Sequence, residues 1–388
     1  MHYMALHGKI NTEAVTGKDE GEEFEKGPGK KRSIPFIEDS VFEAISRIRK
    51  QHHLEWNEFF RRLALYESGL HFIFDAPPNL TKSVILDHNT VMGLATLWVM
   101  NMGENLIDPN APESIMKLRE LLHTEGRPCI SIAAGPSLAI RGHLQQISES
   151  GFSGLIFCAG HSLKATLEAG IIPDVVVVVD GNADKIPAFF DHDIVREHAK
   201  EIRVAACISV SPKTLEIFPR ENIFFFRTSI PGNLLPNVDT IVATLFGQYP
   251  ELDSGGNNGS SMYSLACMLG CSECAMVGFD LGYPAGFPEK DTMYFNAFAG
   301  SIGTHYRDVD DMVEKCYEDF HHPVFSTDYY FDFVYAVFRE GFHEMAKVYS
   351  KHFGTKAVNC TEGGTLYCED LECIPLKTFI KRHKPEAA

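Results

Sequence analysis

The chain has 388 residues and a formal charge of −17, with 45% hydrophobic and 22% charged residues. That composition suits a globular protein with a sizeable core, and so acidic a balance excludes nucleic-acid binding as its main business. The longest apolar runs, such as the five valines at 175–179, are far too short to span a bilayer.

In chain order, residues 1–35 are rich in Gly, Glu and Lys ("TGKDEGEEFEKGPGKKRS") and read as a disordered tail with nothing of a signal peptide in it. Residues 36–125 read as a helical N-terminal region. Phe42, Ile45, Ile48 and Leu54 fall near helical spacing, "DHNTVMGLATLWVMNMGENL" has the apolar density of a buried helix, and "PESIMKLRELLHTEG" alternates as an amphipathic one. From 126 to 300 the pattern changes to alternating strands and helices. "PCISIAA", "GLIFCAG", "PDVVVVVDGN", "IRVAACIS", "NIFFFRTS" and "ECAMVGFDL" are the strands, with "SLAIRGHLQQISES", "SLKATLEAG" and "NGSSMYSLACMLG" among the helices. Strands apolar on both faces belong in a covered parallel sheet, so the fold class is α/β: a Rossmann-like open, mostly parallel sheet with helices on both faces. Residues 301–388 read as a helical C-terminal part completing the core. Its helices are "RDVDDMVEKCYEDF" and "YYFDFVYAVFREGFHEMAKVYSKHFG", and its tail supplies an edge strand.

Ten cysteines are scattered, several within apolar runs, which predicts reduced, buried thiols and a cytoplasmic protein. Cys271 and Cys274 form a tight pair with no second pair at zinc-site spacing, so a structural metal is not expected.

Ligands of open α/β sheets bind beyond the carboxyl ends of the strands, and several strand ends here carry polar tips. "AAGPSL" ends the first core strand: Gly135 allows close backbone approach, and Ser137 can cap the following helix, whose free N–H groups would suit phosphate. Neither Gly-x-Gly-x-x-Gly nor a P-loop is present, so the turn alone is also compatible with a plain tight turn. His161 and Ser162 end the second strand. Asp180 and Asn182 end the third, placed for ribose hydroxyls, a base edge or Mg²⁺. The loop "SGGNNGSSM" opens a helix with Asn257, Asn258 and Gly259, and Asp280 and Tyr283 end a later strand. On a parallel sheet all of these lie on one edge, which predicts a nucleotide-type site.

"AAGPSL", "IFCAGHSLKATLEAGIIPDVVVVVD" and "GGNNGSSMYSLACMLGCSECAMVGFDLGY", in this order, resemble the motility accessory factor (Maf) proteins, flagellin glycosyltransferases that use CMP-activated nonulosonic acids. Their archaeal relatives are the 6-hydroxymethyl-dihydropterin diphosphokinases (MptE-like). "PVFSTDYYFDFVYAVFRE" and "KAVNCTEGGTLYCEDLECIPL" look more like the Maf branch, and the resemblance covers about residues 125–378. A more distant similarity is to bacterial sialyltransferases that use CMP-sialic acid. The resemblance implies that Gly135, Pro136 and Ser137 face the nucleotide phosphate, that His161 and Ser162 sit at the second tip, and that Asn257, Asn258 and Gly259 approach the nucleotide or sugar, with Asp280 at the later tip. The chain lacks much of the length of full motility factors, which puts a flagellin acceptor in doubt, and its long segment after Asp280 leaves the catalytic group without a motif.

Sugar transfer from CMP needs a base for the acceptor hydroxyl and help for the departing phosphate. His305 and His322, beside His321, lie in loops downstream of the last core strand as candidate bases, with Asp280 a third catalytic candidate. Tyr283, Tyr329 and Tyr330 can donate to phosphate, Tyr330 being the weaker choice, and Glu362 in "NCTEGG" either orients a ligand or marks a turn that docks the tail. A glycosyltransferase of this type would need no cofactor. The alternative, a diphosphokinase passing pyrophosphate from ATP to a pterin-like alcohol, would need Mg²⁺ on Asp180 and Asp280. Further alternatives are a non-catalytic nucleotide- or glycan-binding scaffold and a protein-docking module. The partners expected are a nucleotide or nucleotide sugar and a protein or glycan acceptor; the sequence leaves the oligomeric state open.

Overall fold

The computed structural model describes residues 94, 97–105, 112–182, 186–228, 242–244, 246–369 and 371–384. The expected tail at 1–35, and most of the expected N-terminal helical region, lie outside the described residues.

The apolar runs form a nine-stranded sheet in the order β1-β6-β5-β4-β3-β2-β7-β11-β12. These strands are β1 (Glu113–Ser114), β2 (Cys129–Ile132), β3 (Leu155–Ala159), β4 (Val175–Val178), β5 (Arg203–Cys207), β6 (Ile223–Phe226), β7 (Glu273–Val277), β11 (Lys356–Asn359) and β12 (Glu372–Cys373). Every pairing among them is parallel. Strands β2 to β7 follow the sequence reading because four residues of each are buried, on both faces, leaving no polar face to solvate.

Alternate residues of each strand address two helical layers. Ile130, Ile132, Ala275, Val277 and Val358 pack with Ile147 of α1 (His143–Ser150) and with Phe379 and Ile380 of a C-terminal helix. Cys129, Val175 and Met276 pack on the opposite face with Tyr263 of α2 (Asn258–Met268) and Phe342 of α3 (Phe333–Phe353). The C-terminal helix, α4, spans Leu376–Arg382.

Two parts of the chain depart from the sequence reading. Tyr317–His322 (β9) and Thr327–Asp332 (β10) are antiparallel strands that pair with β8 (Tyr283–Pro284) in a separate three-stranded sheet, where helices were expected to run on. Aromatic cross-strand neighbours such as Tyr329 and Phe320 favour pairing, and the Arg339 guanidinium lies over Phe331, 4.2 Å from its centroid. Asp332 then starts α3 by accepting from the Val334 and Tyr335 N–H groups at 2.9 and 3.0 Å. Within the expected N-terminal helical region, Glu113–Ser114 instead extends the sheet beside β6. The C-terminal tail supplies the edge strand read from the sequence, β12, and a second strand, β11, that pairs between it and β7.

The described part of the N-terminal helix, 97–105, packs on the carboxyl ends of β4 and β5. Asn101 donates to the carbonyls of Gly181 and Ser209 at 2.9 and 2.7 Å. One turn on, Asn105 donates to those of Ile208 and Val210 at 2.9 and 2.8 Å. Two asparagines at i, i+4 thereby satisfy four carbonyls beyond β4 and β5. Among the described residues no helix is long and apolar enough to cross a membrane.

Candidate functional site

After β1 at the edge beside β6, the chain crosses to β2, steps outward through β3, β4, β5 and β6, and returns to the other side of β2 at β7. The strand order therefore reverses between β2 and β7, where open α/β sheets present their ligand crevice. Parallel pairing continues past both strands, with Ala133 N–H on Val277 O at 2.9 Å and Gly135 N–H on Gly278 O at 2.7 Å.

The Gly-Pro-Ser turn at this point already holds an anion, and it belongs to the protein. Asp280 accepts from the Ser137 hydroxyl at 2.7 Å and from the Ser137 N–H at 3.2 Å. The free N–H groups expected there for a phosphate are thus taken, those of Gly135 and Ser137 by Gly278 and Asp280, while Pro136 has none. Gly135 is required for a different reason from the expected ligand approach: a Cβ there would fall 2.0 Å from Asp280 Oδ2 and 2.5 Å from Gly278 O. Gly364, at φ +74°, passes equally close to the Asp280 backbone, and Thr365 N–H bonds Asp280 O at 2.7 Å. Tyr329 completes the cluster by hydrogen bonding to the Asp280 carboxylate.

Asp280 is 2% exposed, and burial raises its pKa to about 6 against the hydrogen bonds from Ser137 and Tyr329. Burial and the Asp280 charge push the Tyr329 phenol well above its usual range, so it stays a donor at neutral pH. The sign of the linkage follows. The folded chain holds a proton on Asp280 between pH 3.8 and about 6, where the unfolded chain has released it. This contribution is complete below about pH 4 and is lost as pH rises to about 6, a span worth about 3 kcal/mol. Denaturant midpoints of wild type and Asp280→Asn should therefore converge or cross between pH 4 and 7, with the variant gaining relative stability as pH rises. A pH-independent difference would show that the carboxyl is not held this way.

The other expected site residues separate into those that face the crevice and those engaged elsewhere. Ser162 is buried, and its hydroxyl donates to Ile132 O at 2.9 Å, tying the β3 tip to β2. Glu362, at φ +54°, turns toward the tail: it accepts from Leu376 N–H at 3.0 Å, opening α4, and lies 3.5 Å from His143 Nε2. Burial would raise its pKa, but these contacts hold it below the ordinary carboxylate range. Tyr283 donates to Asp332 at 3.2 Å and accepts from Met293 N–H at 3.0 Å within an aromatic cluster.

Neither candidate histidine base touches the Asp280 cluster. His305 is exposed beside Thr304, 3.1 Å away. His322 is on β9 rather than in a loop, fully buried, with Nδ1 accepting from the Val324 and Phe325 N–H groups and Nε2 3.3 Å from Leu366 O. Burial lowers its pKa and keeps it neutral.

What opens on the crevice is the β3 tip and the start of α2. His161 is exposed and lies on the Phe189 ring with centroids 3.7 Å apart. Desolvation lowers its pKa, and the Asp180 carboxylate opposes that shift. Asp180 in turn accepts from Asn182 N–H at 2.9 Å. At α2, Asn257 is the cap, accepting from Ser260 N–H at 2.9 Å and donating to Gly255 O at 3.0 Å. Among the described residues nothing accepts from the Asn258 and Gly259 N–H groups, and Asn258 Oδ1 is buried without a partner. Gly259 brings this helix start onto Phe279, next to Asp280: a Cβ would fall 2.3 Å from that ring.

Asp180 and Asp280 stand beyond β4 and β7, three strand spacings apart, roughly 14 Å along the edge. Asp280 is also already enclosed by Ser137 and Tyr329. One Mg²⁺ shared by the two carboxylates does not fit this arrangement, and no group of three or more His, Cys, Asp or Glu among the described residues is arranged to hold a metal. All ten cysteines are free thiols, eight of them buried.

Residues 101–286 match the family model described as 6-hydroxymethylpterin diphosphokinase MptE-like. No curated protein matches the chain. Among solved structures, the Maf glycosyltransferase from Magnetospirillum magneticum AMB-1 is similar at 16% identity with a TM-score of 0.43, over 65% of this chain and 34% of that one. The chain thus spans about a third of that protein's length.

Proposed function

We infer, from an MptE-like domain at residues 101–286 and the crevice built on it, that the chain is a transferase acting on a nucleotide-activated donor. The observation that carries this reading is the meeting of two features on one strand edge. One is a helix start with unclaimed N–H groups, at Asn258 and Gly259. The other is an exposed imidazole beside a carboxylate, His161 with Asp180. The first suits a phosphate, and the second suits a proton acceptor that stays neutral until it reacts.

The donor this arrangement serves best is a CMP-activated nonulosonic acid, and the acceptor is a hydroxyl of a protein or glycan. His161 takes the proton of the acceptor hydroxyl as that oxygen bonds to the anomeric carbon. The bond from that carbon to the CMP phosphate breaks, and its electron pair leaves with CMP. The Asn258 and Gly259 N–H groups receive the phosphate charge, Asp180 stabilises the imidazolium, and Phe189 fixes the ring. Asp280 is a positioning residue: buried, it holds the Ser137 turn and Tyr329 in register with α2. No cofactor enters this route.

The family description favours a second reading, pyrophosphate transfer from ATP to a pterin-like alcohol. Its Mg²⁺ would have to use ligands other than Asp180 and Asp280 together, for the reason given above.

Thermal unfolding with CMP, CDP, ATP and GTP, each with and without Mg²⁺, separates these readings. Saturating CMP or CDP should stabilise the chain without metal, by about 2.7 kcal/mol at a hundredfold excess over Kd, and Asn258→Asp should abolish the effect by placing a like charge at the phosphate. Stabilisation by ATP only with Mg²⁺ would favour pyrophosphate transfer. No shift with any nucleotide would sink both readings.

A further inference from the structure

On the face of the sheet away from α2 and α3, helices α1 and α4 pack side by side over Ile130, Val277 and Val358. A groove of about 590 Å³ runs along their outer seam. Its walls carry four cations, Arg141, Lys377, Lys381 and Lys384, against one carboxylate, Glu149. Composition does not explain this, since the chain has 52 acidic residues and 35 basic ones.

Other cations nearby are paired. Arg382, on the same helix, bonds Glu372 at 2.6 Å and Glu273 at 3.2 Å, and Lys356 pairs with Glu372 at 2.6 Å. By contrast, the side chains of Arg141, Lys377, Lys381 and Lys384 make no hydrogen bond or ion pair among the described residues. Glu149 pairs with none of them, accepting instead from Gln145 Nε2 at 2.8 Å, and its single charge leaves the groove cationic. Like charges left together without counter-charges repel, which an anion in the groove would relieve.

A second observation points the same way. Gln146 lines the groove with its amide orientation fixed, because its Nε2 donates to Arg141 O at 2.7 Å. Its Oε1 is buried and has no partner. A buried acceptor without a donor is costly, and the missing donor can be a hydroxyl of the same ligand.

We propose that the groove between α1 and α4 binds a phosphate-bearing small molecule with a hydroxyl near its phosphate, a sugar phosphate by class. The four cations meet the phosphate, and Gln146 Oε1 accepts from the hydroxyl. This site is distinct from the crevice and does not depend on the reading given to it. It is joined to the crevice at Arg141, whose charge acts on both Tyr329 and Glu362, so an anion there changes the field at the strand edge.

The test is calorimetric titration of the full chain with ribose 5-phosphate. Exposed charge pairs are individually weak, so a Kd near 1 mM at low salt is expected, on the order of what four such contacts give. Lys377→Gln with Lys381→Gln should weaken binding by about tenfold or more, and Gln146→Leu should weaken ribose 5-phosphate but not inorganic phosphate. All are surface or near-isosteric changes, and thermal unfolding of each variant reports that the fold is kept. Absence of binding overturns the proposal. So does binding that the lysine substitutions leave intact, since the anion would then sit elsewhere. Binding to an acidic peptide with none to ribose 5-phosphate would also overturn it, by assigning the groove to a protein partner.

Discussion

Gly135→Ala is expected to lower the melting temperature by roughly 6–12 °C, from a loss of about 3 kcal/mol. The methyl group has no room: its position lies 2.0 Å from Asp280 Oδ2 and 2.5 Å from Gly278 O. A flexible side chain could move away from the first contact, but the second is backbone at the end of β7. Gly278 is itself held at φ +65°, with Ala133 O 2.8 Å from where its own Cβ would be. The β2 and β7 ends therefore cannot separate without losing the Gly135 to Gly278 and Ala133 to Val277 bonds. Differential scanning calorimetry of Gly135→Ala beside Gly142→Ala gives the comparison. Gly142 has a left-handed φ of +61° with nothing within 4 Å of its Cβ position, so it reports backbone strain alone, about 1 kcal/mol. Equal losses in the two variants would show that the close approach at Gly135 is not what fixes the strand ends.

The sheet was legible because β2 to β7 are short apolar runs separated by helix-length segments, a pattern that few other folds need. Legibility ended where two periodicities overlapped. "TDYYFDFVYAVF" is apolar enough for either a strand or a helix, and the deciding residue, Asp332, which caps the start of α3, lies inside the apolar run rather than at its head. The strand tips were legible as a set, since a parallel sheet brings all of them to one edge. Their partners were not, because the contacts that define them span the chain: Ser137 and Asp280 are 143 positions apart. Sequence makes Gly135 a place where something comes close; only the fold says that the something is a carboxylate of the same chain. Asn101 and Asn105 are illegible for a similar reason. An i, i+4 pair of asparagines in an apolar helix is a recognisable pattern, but its targets lie beyond β4 and β5.

Replacing His161 with Gln should lower kcat for CMP release from a CMP-nonulosonic acid by about 10²- to 10⁴-fold, the range set by removal of a general base. KM for the donor should hold, because the donor phosphate is received at Asn258 and Gly259 rather than at the imidazole. Two further measurements separate a proton acceptor from a residue that merely packs on Phe189. The wild-type rate should rise with pH through an apparent pKa below 6.5, since desolvation shifts the imidazole below that ordinary value and only the neutral ring can take a proton. His161→Gln should lose this limb. Asp180→Asn should move it to lower pH, because the Asp180 charge raises the His161 pKa and its removal lets desolvation act alone. The same displacement is readable without any substrate, from the His161 ring resonances in an NMR titration of the two proteins. A ring pKa at or above 6.5, or one that ignores Asp180→Asn, would remove the electrostatic basis for His161 as the base. Proton acceptance would then have to come from a side chain outside the β3 and β4 tips.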